Sequence, residues 1–137
     1  MKTDNKLAHS VLDAYKDHLK LFQPGALGSK DKVYLEGVQA IAAPGHTPGH
    51  TAYIIESGNS RLLVWGDLTH VTTLQLPHPE IAVTYDSDSK QAIASRKQIL
   101  EYVAKNQIPI AGMHLASPAV GDIKADGQGG YILTYKK

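Results

Sequence analysis

The sequence contains no cysteine, and this absence restricts the chemistry open to the chain. Without thiols there is neither a disulfide nor a thiolate metal ligand, so any metal ion must be held by histidine and carboxylate side chains. The 137 residues include seven histidines and thirteen acidic residues. Metal binding by imidazole and carboxylate therefore stays open, while the compartment stays undecided.

Long apolar runs and dense basic clusters are missing as well. No run approaches the ~18 residues that a membrane-spanning helix needs, and the polar start, Met1 to Lys6, lacks the apolar core of a signal peptide. Fourteen basic and thirteen acidic residues leave a net charge of +1, without a stripe of lysine and arginine. We therefore expect a soluble chain of unknown location that binds neither membrane nor nucleic acid.

One stretch is rich in proline, glycine and histidine. Pro44 to Thr51 reads PGHTPGHT and separates two apolar runs, Val38 to Ala43 and Ala52 to Ile55. Strand interiors do not tolerate proline and glycine at this density, so a shaped loop between two strands is predicted. This loop directs an imidazole, from His46 or His50, at one point. Neutral imidazole is a good ligand for zinc and iron, although a histidine in such a turn also serves as a hydrogen-bonded loop residue.

Two more candidate ligands follow strand-like runs. Arg61 to Trp65 is followed within two residues by Asp67, and Ile108 to Met113 is followed by His114. Because His50, Asp67 and His114 all adjoin the ends of such runs, we expect them to converge at one edge of a sheet. Nitrogen and oxygen donors gathered there suit a hard or borderline cation.

Two helices are predicted from apolar positions that recur every three or four residues. The first runs from Asp4 to Phe22 and is ended by Pro24. The second runs from about Ser89 to Lys105, with Arg96 on its solvated side. An amphipathic helix leaves its charged face in water, so we assign no function to these charges.

Turn-rich residues between apolar, β-branched runs predict hairpins. The predicted hairpins are Val33 to Leu35 with Val38 to Ala43, Ala52 to Glu56 with Arg61 to Trp65, and Val120 to Lys124 with Tyr131 to Tyr135. A single short strand is predicted at Ile81 to Tyr85. Leu68 to Pro79 is predicted to be an irregular loop beside the metal site. For its residues His70 and His78, surface or capping roles are favoured over contact with a metal or substrate.

These motifs resemble the C-terminal half of the metallo-β-lactamase superfamily, and more narrowly its lactonase and methyl-parathion-hydrolase branch. The PGHTPGHT turn, Gly66-Asp67 and His114 carry the likeness, which covers roughly residues 33 to 135. The narrower likeness is carried by three segments: Asp67 to His78, Thr84 to Asp88 and His114 to Pro118.

The resemblance implies an α+β fold, in which a mixed sheet with flanking helices forms half of a four-layer α/β/β/α sandwich. Without repeats or linkers, residues 1 to 137 are predicted to form a single domain, with an N-terminal helix at 4–22 and a core at 33–135. By the same resemblance His50 binds the first of two divalent metals, expected to be zinc, and His114 binds the second. Asp67 bridges both metals as the catalytic residue, while His46 is structural.

The sequence departs from the family in one respect. Such enzymes take their other ligands from a His-x-His-x-Asp-His motif, which this sequence lacks, and His9 and His18 are too far apart to replace it. We therefore expect the C-terminal part of a metal-dependent hydrolase of small molecules (lactones, esters or phosphotriesters) that is inactive alone. The alternative is a non-catalytic binding or assembly module.

The resemblance also predicts a partner. Each half of the sandwich has an apolar sheet face that packs on the other half, so an isolated half needs a cover for that face. We expect either a homodimer, which exchanges the N-terminal helix through a hinge at Pro24 to Lys32, or the missing N-terminal half.

Overall fold

The computed structural model describes residues 6–29 and 35–136. Its first helix, α1 (Lys6–Tyr15), continues as a 3-10 turn, Lys16–His18, and the backbone is extended from Leu19. The predicted end of this helix at Phe22 is therefore wrong, and its predicted start at Asp4 lies outside the described residues. No residue of α1 is buried, so tertiary packing, which supplies most helix stability in proteins, does not support further turns.

The described strands form one mixed sheet of six strands in sequence order. They are β1 (Val38–Ala42), β2 (Thr51–Ser57), β3 (Ser60–Val64), β4 (Ile110–Ala111), β5 (Val120–Ala125) and β6 (Tyr131–Tyr135). Neighbouring strands are antiparallel except β3 and β4, which are parallel. The predicted α+β class with a mixed sheet is confirmed.

The hairpins β2–β3 and β5–β6 are present as predicted. The predicted hairpin before β1 is reduced to an isolated bridge between Leu35 and Val38, while Val33 and Tyr34 lie outside the described residues. The strand predicted at Ile81 to Tyr85 is wrong. The Ile81 carbonyl accepts hydrogen bonds from the side chains of Gln75 and Arg96 instead of from a neighbouring strand.

The long helix α3 (Ser89–Asn106) packs on one face of the sheet and agrees with its predicted range. The core between them is aliphatic with one indole: Ile41, Ala52, Ile54, Leu63, Trp65, Ile99, Leu100, Val103, Ile110 and Ile123. Arg96 was predicted on the solvated side of α3, but it is 1% exposed. A tertiary contact overrides the helical period here, because the loop after β3 folds over this part of the helix.

That loop also contains a short helix, α2 (Thr72–Gln75), where an irregular segment was predicted. Part of the opposite sheet face is exposed in the described chain. Tyr53, Ile55 and Ile132 lie on it with exposures of 36%, 42% and 57%. Of the helices in the described part of the chain, none has the length and apolar character to cross a membrane.

Candidate metal centre

Parallel pairing of β3 and β4 brings two polar residues to the same edge of the sheet. Val64 pairs with Ala111, and Asp67 and His114 each follow three residues later. The Nε2 atom of His114 lies 3.1 Å from Oδ1 of Asp67. His114 has a φ of +60°, a left-handed conformation that is uncommon for residues other than glycine and recurs at functional sites.

The PGHTPGHT loop is held against the start of α3. The Ser95 hydroxyl donates a hydrogen bond of 2.7 Å to the carbonyl of Pro44. Gly45 has a φ of +136°, and a Cβ there would lie 2.0 Å from the nitrogen of Ala92, so only glycine fits this contact. The glycine and proline content thus shapes the loop, as the sequence predicts, and fixes the position of His46.

His46 turns one ring nitrogen to the site and the other to a buried carboxylate. Its Nε2 lies 3.5 Å from Oδ2 of Asp67, and its Nδ1 lies 3.1 Å from Oδ1 of Asp86. The side chain of Asp86 is 1% exposed. A histidine that donates one N–H to a carboxylate is oriented with the other nitrogen free for a metal ion.

His50 lies beneath Asp67 and makes two hydrogen bonds to the backbone. Its Nε2 accepts a hydrogen bond from the Asp67 N–H at 3.0 Å, and its Nδ1 donates to the carbonyl of Ala43 at 2.9 Å. A Cβ on Gly66, whose φ is +58°, would lie 2.8 Å from the same Nε2. Metal ligation by His50 stays a prediction, and in this conformation it requires one of these two hydrogen bonds to break.

His70 is a site residue for which the sequence favoured a surface or capping role. Its ring centroid lies 4.6 Å from that of His46 and 4.8 Å from that of His114. Its Nδ1 is buried and has no hydrogen-bond partner among the described residues. Burial lowers the pKa of His70, and the neighbouring His46 and His114 lower it further. The sequence feature that could have indicated this role is the position of His70, three residues after Asp67.

Two groups of donors in the described chain are spaced for a cation. Donor atoms of Asp67, His70 and His114 lie within 4.8 Å of one another, and so do donor atoms of His46, His70 and Asp86. His50 is in neither group, and neither is His78, whose side chain is 62% exposed beside Glu80.

A buried glutamine holds the backbone of His70. The Oε1 atom of Gln75 accepts hydrogen bonds from the N–H groups of His70, at 2.7 Å, and Val71, at 3.1 Å. Its Nε2 donates to the carbonyl of Ile81 at 3.0 Å. Gln75 is fully buried, so this small network is shielded from water.

Arg96 holds the two ends of the same loop. Its Nε donates to the carbonyl of Leu68 at 2.9 Å, and its Nη1 donates to the carbonyls of Pro79 and Ile81 at 2.9 and 2.7 Å. Burial lowers the pKa of Arg96, and the nearby carboxylate of Asp86 opposes this effect. The guanidinium thus ties residues 68–81 to α3.

Solved structures that superpose on this chain identify its fold. The chain superposes with a TM-score of 0.81 and 28% identity on AidC, a dizinc quorum-quenching lactonase, over 98% of this chain and 46% of that one. It superposes with a TM-score of 0.78 and 30% identity on AbOPH, a hydrolase in the β-lactamase superfamily, over 96% and 44%. The chain has the metallo-β-lactamase fold. The family resemblance drawn from the sequence is confirmed, together with the architecture that it implies.

A third solved structure is similar to this chain in fold only. It is a probable metal-dependent hydrolase from Staphylococcus aureus, with a TM-score of 0.65 and 23% identity, matched over 90% of this chain and 42% of that one. The present chain thus spans less than half the length of the structures that it matches. No family model and no curated protein matches the sequence.

The side chains at this edge of the metallo-β-lactamase fold fit a divalent metal. The donors are imidazole nitrogens and carboxylate oxygens, which zinc accepts. The Nδ1 of His70, which is buried and has no hydrogen-bond partner within residues 6–29 and 35–136, is an available donor. The carboxylate oxygens of Asp67 face two different histidines, His46 and His114, as a bridging ligand does.

Proposed function

We propose that this chain supplies one side of a two-metal centre in a hydrolase of the metallo-β-lactamase fold. The observation that carries the proposal is the position of Asp67 between two imidazoles. Its Oδ1 lies 3.1 Å from Nε2 of His114 and its Oδ2 lies 3.5 Å from Nε2 of His46. Asp67 would bridge the metals, with His46 as a ligand of one and His114 as a ligand of the other.

This proposed set of ligands differs from the set predicted from the sequence by a single histidine. His46 takes the place of His50, because the Nδ1 of His46 faces Asp86 while its Nε2 points to Asp67. His50 has the role of a positioning residue, since it binds the backbone N–H of Asp67. Zinc is the proposed metal on the strength of the donor set and of the dizinc lactonase AidC.

Divalent cations at this site would polarise a carbonyl or phosphoryl oxygen and lower the pKa of a water molecule, which suits hydrolysis of lactones, esters, lactams and phosphotriesters. The protein holds the donor atoms in place for this chemistry. Asp86 orients His46, His50 supports Asp67, and Arg96 fixes the adjoining loop. Such support reduces the rearrangement needed when a metal or a substrate arrives.

We also propose that this chain alone turns over little substrate. Asp67, His46 and His114 leave most coordination positions of two metals to other groups, and the sequence has no His-x-His-x-Asp-His motif. Without more ligands a water molecule is neither fixed nor strongly acidified, and positioning accounts for much of an enzymatic rate. The open apolar sheet face favours the alternative function for the chain alone, an assembly module.

The test compares hydrolysis of an N-acyl homoserine lactone and of a phosphotriester, with added zinc, by two proteins. One is this chain, and the other is the same chain joined to a segment that carries the His-x-His-x-Asp-His motif. We expect a metal-dependent rate from the second protein alone, reduced at least about 100-fold by Asp67→Ala and unchanged by His78→Ala. No rate from either protein would refute the hydrolase proposal. An equal rate from both, sensitive to Asp67→Ala, would refute the inactivity of this chain.

A further inference from the structure

We propose that His70 is a metal ligand of this chain, so that Asp67, His70 and His114 together hold one divalent cation of the zinc class. This inference rests on the proposed metal centre, because it uses Asp67 and His114. It adds a donor from the loop after β3 that the sequence analysis did not assign to the metal.

The spacing of the three donors suits one ion. Nitrogen and oxygen ligands lie about 2.0–2.2 Å from zinc, which puts neighbouring donors about 3.4 Å apart in a tetrahedron. Asp67 Oδ1 and His114 Nε2 are 3.1 Å apart, and all three donor atoms lie within 4.8 Å of one another.

The environment of His70 leaves a donor atom without a partner. Its buried Nδ1 has no hydrogen bond within the described chain, and an unsatisfied buried polar atom carries a desolvation cost. A cation bound at this Nδ1 would remove the cost. The neutral imidazole ring is the form that binds metals.

The backbone of His70 is held independently of any metal. Gln75 binds its N–H at 2.7 Å, and Arg96 binds the carbonyl of Leu68 two residues earlier at 2.9 Å. The loop therefore presents the imidazole in advance, and ordering this segment does not have to be driven by the metal.

The second donor group, His46 with His70 and Asp86, is less suited to an ion. Asp86 already binds the Nδ1 of His46 at 3.1 Å through Oδ1 and the N–H of Val83 at 3.2 Å through Oδ2. Asp67, by contrast, is 35% exposed at the side chain, and its oxygens face imidazoles. The geometry therefore favours Asp67 over Asp86 as the carboxylate ligand that accompanies His70.

The inference can be tested by titrating the metal-free chain with Co²⁺ and measuring heat and visible absorption. We expect His70→Ala to weaken Co²⁺ binding about 10- to 100-fold and to lower the absorption per bound ion. Asp67→Ala and His114→Ala should weaken binding by at least as much. His78→Ala, an exposed histidine of the same loop, is the matched control and should leave both signals unchanged.

The outcomes separate this inference from the proposed metal centre. If His70→Ala binds Co²⁺ as the parent does while Asp67→Ala loses binding, His70 is not a ligand and the centre stands. If the parent binds no Co²⁺, or no variant weakens binding, the inference about His70 fails, and the metal centre is then tested by the protein joined to the His-x-His-x-Asp-His segment. A second experiment uses nuclear magnetic resonance of the parent protein, so it does not depend on whether a variant folds. On titration with Zn²⁺, the ¹⁵N resonance of one ring nitrogen of His70 should shift to the metal-bound range, and an unmoved resonance overturns the inference.

Discussion

The Nε2 atom of His50 accepts a hydrogen bond from the backbone N–H of Asp67 at 3.0 Å. The two histidines of the PGHTPGHT loop therefore have different environments. His46 faces the carboxylate of Asp67 from the site, whereas His50 lies under the backbone of the same residue and binds Ala43 through its other nitrogen. One loop thus contributes a candidate ligand and a support for the neighbouring ligand.

Replacing His50 by alanine should lower the stability of the fold and should have a smaller effect on metal binding. The change leaves the Asp67 N–H and the Ala43 carbonyl without a partner, so we expect the free energy of unfolding in urea to fall by about 1–3 kcal/mol. Zinc affinity should fall less than it does in His46→Ala. If His50→Ala loses zinc as completely as Asp67→Ala does, with stability unchanged, then His50 is the ligand that the sequence predicted.

Gly66→Ala should be destabilising because the turn is packed on His50. The substitution places a Cβ 2.8 Å from His50 Nε2 at a φ of +58°. Gly58 has nearly the same φ, +56°, but a Cβ there would meet no atom within 4 Å, so Gly58→Ala measures the backbone cost alone, about 1–2 kcal/mol. Urea unfolding should show a larger loss for Gly66→Ala than for Gly58→Ala.

The difference between these two glycines has a further check. In a His50→Ala background the Cβ of Gly66→Ala no longer meets the imidazole, so its extra cost should shrink and leave the backbone cost. Equal losses for Gly66→Ala and Gly58→Ala in the parent protein would mean that His50 does not pack against this turn as the structure has it.

Arg96→Met should loosen the loop that carries His70. The three hydrogen bonds of the guanidinium to the carbonyls of Leu68, Pro79 and Ile81 are lost in a buried place, so we expect a cost of about 2–4 kcal/mol in the free energy of unfolding. Amide hydrogen exchange should accelerate in residues 68–81. Lys97→Met, on the exposed side of the same helix, is the control and should change neither measurement. An unchanged exchange rate in Arg96→Met would contradict this role.

Local patterns were sufficient to predict much of the fold. The hairpin β2–β3 follows from two apolar runs on either side of turn-rich residues, and α3 follows from its helical period. The approach of Asp67 and His114 could be expected from their positions after strand-like runs. Each of these features follows from patterns within short segments of the sequence.

The remaining features depend on contacts between distant residues. His46 and His50 differ in role because of what they meet in the fold, namely Asp86 for one and the backbone at Asp67 for the other. The helical period predicted an exposed Arg96, because this pattern contains no information about the loop that covers the side chain in the fold. For the same reason the sequence favoured a surface or capping role for His70, since its neighbours His46 and His114 come from other loops.

The cap of α3 should make stability depend on pH in the acidic range. Hydrogen bonds from the backbone and side chain of Gln91 hold the pKa of Asp88 below its usual value of 3.8. Because the folded-state pKa is the lower one, the ionised cap stabilises the fold fully above about pH 4. This stabilisation is lost as the pH falls through the folded-state pKa.

Asp88→Asn keeps a neutral cap and provides the comparison for this titration. The melting temperature of the parent protein relative to Asp88→Asn should be highest above about pH 4 and should decline below it. Asp88→Ala should melt below both proteins at neutral pH. A difference between parent and Asp88→Asn that is constant from pH 2 to pH 6 would contradict an ionised cap at this position.

The open sheet face should cause association, and we propose a second copy of this chain as its partner. Tyr53, Ile55 and Ile132 lie on this face with exposures of 36%, 42% and 57%. The helix α1 has no buried residue, so its own apolar side chains, among them Leu7 and Val11, are exposed as well. Two exposed apolar surfaces on one chain can be covered together in a twofold dimer, and covering a few hundred Å² yields several kcal/mol at about 25 cal/mol per Å².

Sedimentation velocity at micromolar concentration tests this association. We expect a dimer that Ile55→Lys converts largely to monomer, because a lysine in the middle of a covered apolar face loses its hydration. Gln128→Lys, in the exposed turn between β5 and β6, adds the same charge away from that face and should leave the dimer intact. A monomer for the parent chain across this concentration range would refute self-association. A monomer that associates only with a polypeptide carrying the His-x-His-x-Asp-His motif would instead assign the face to the other half of a metallo-β-lactamase sandwich.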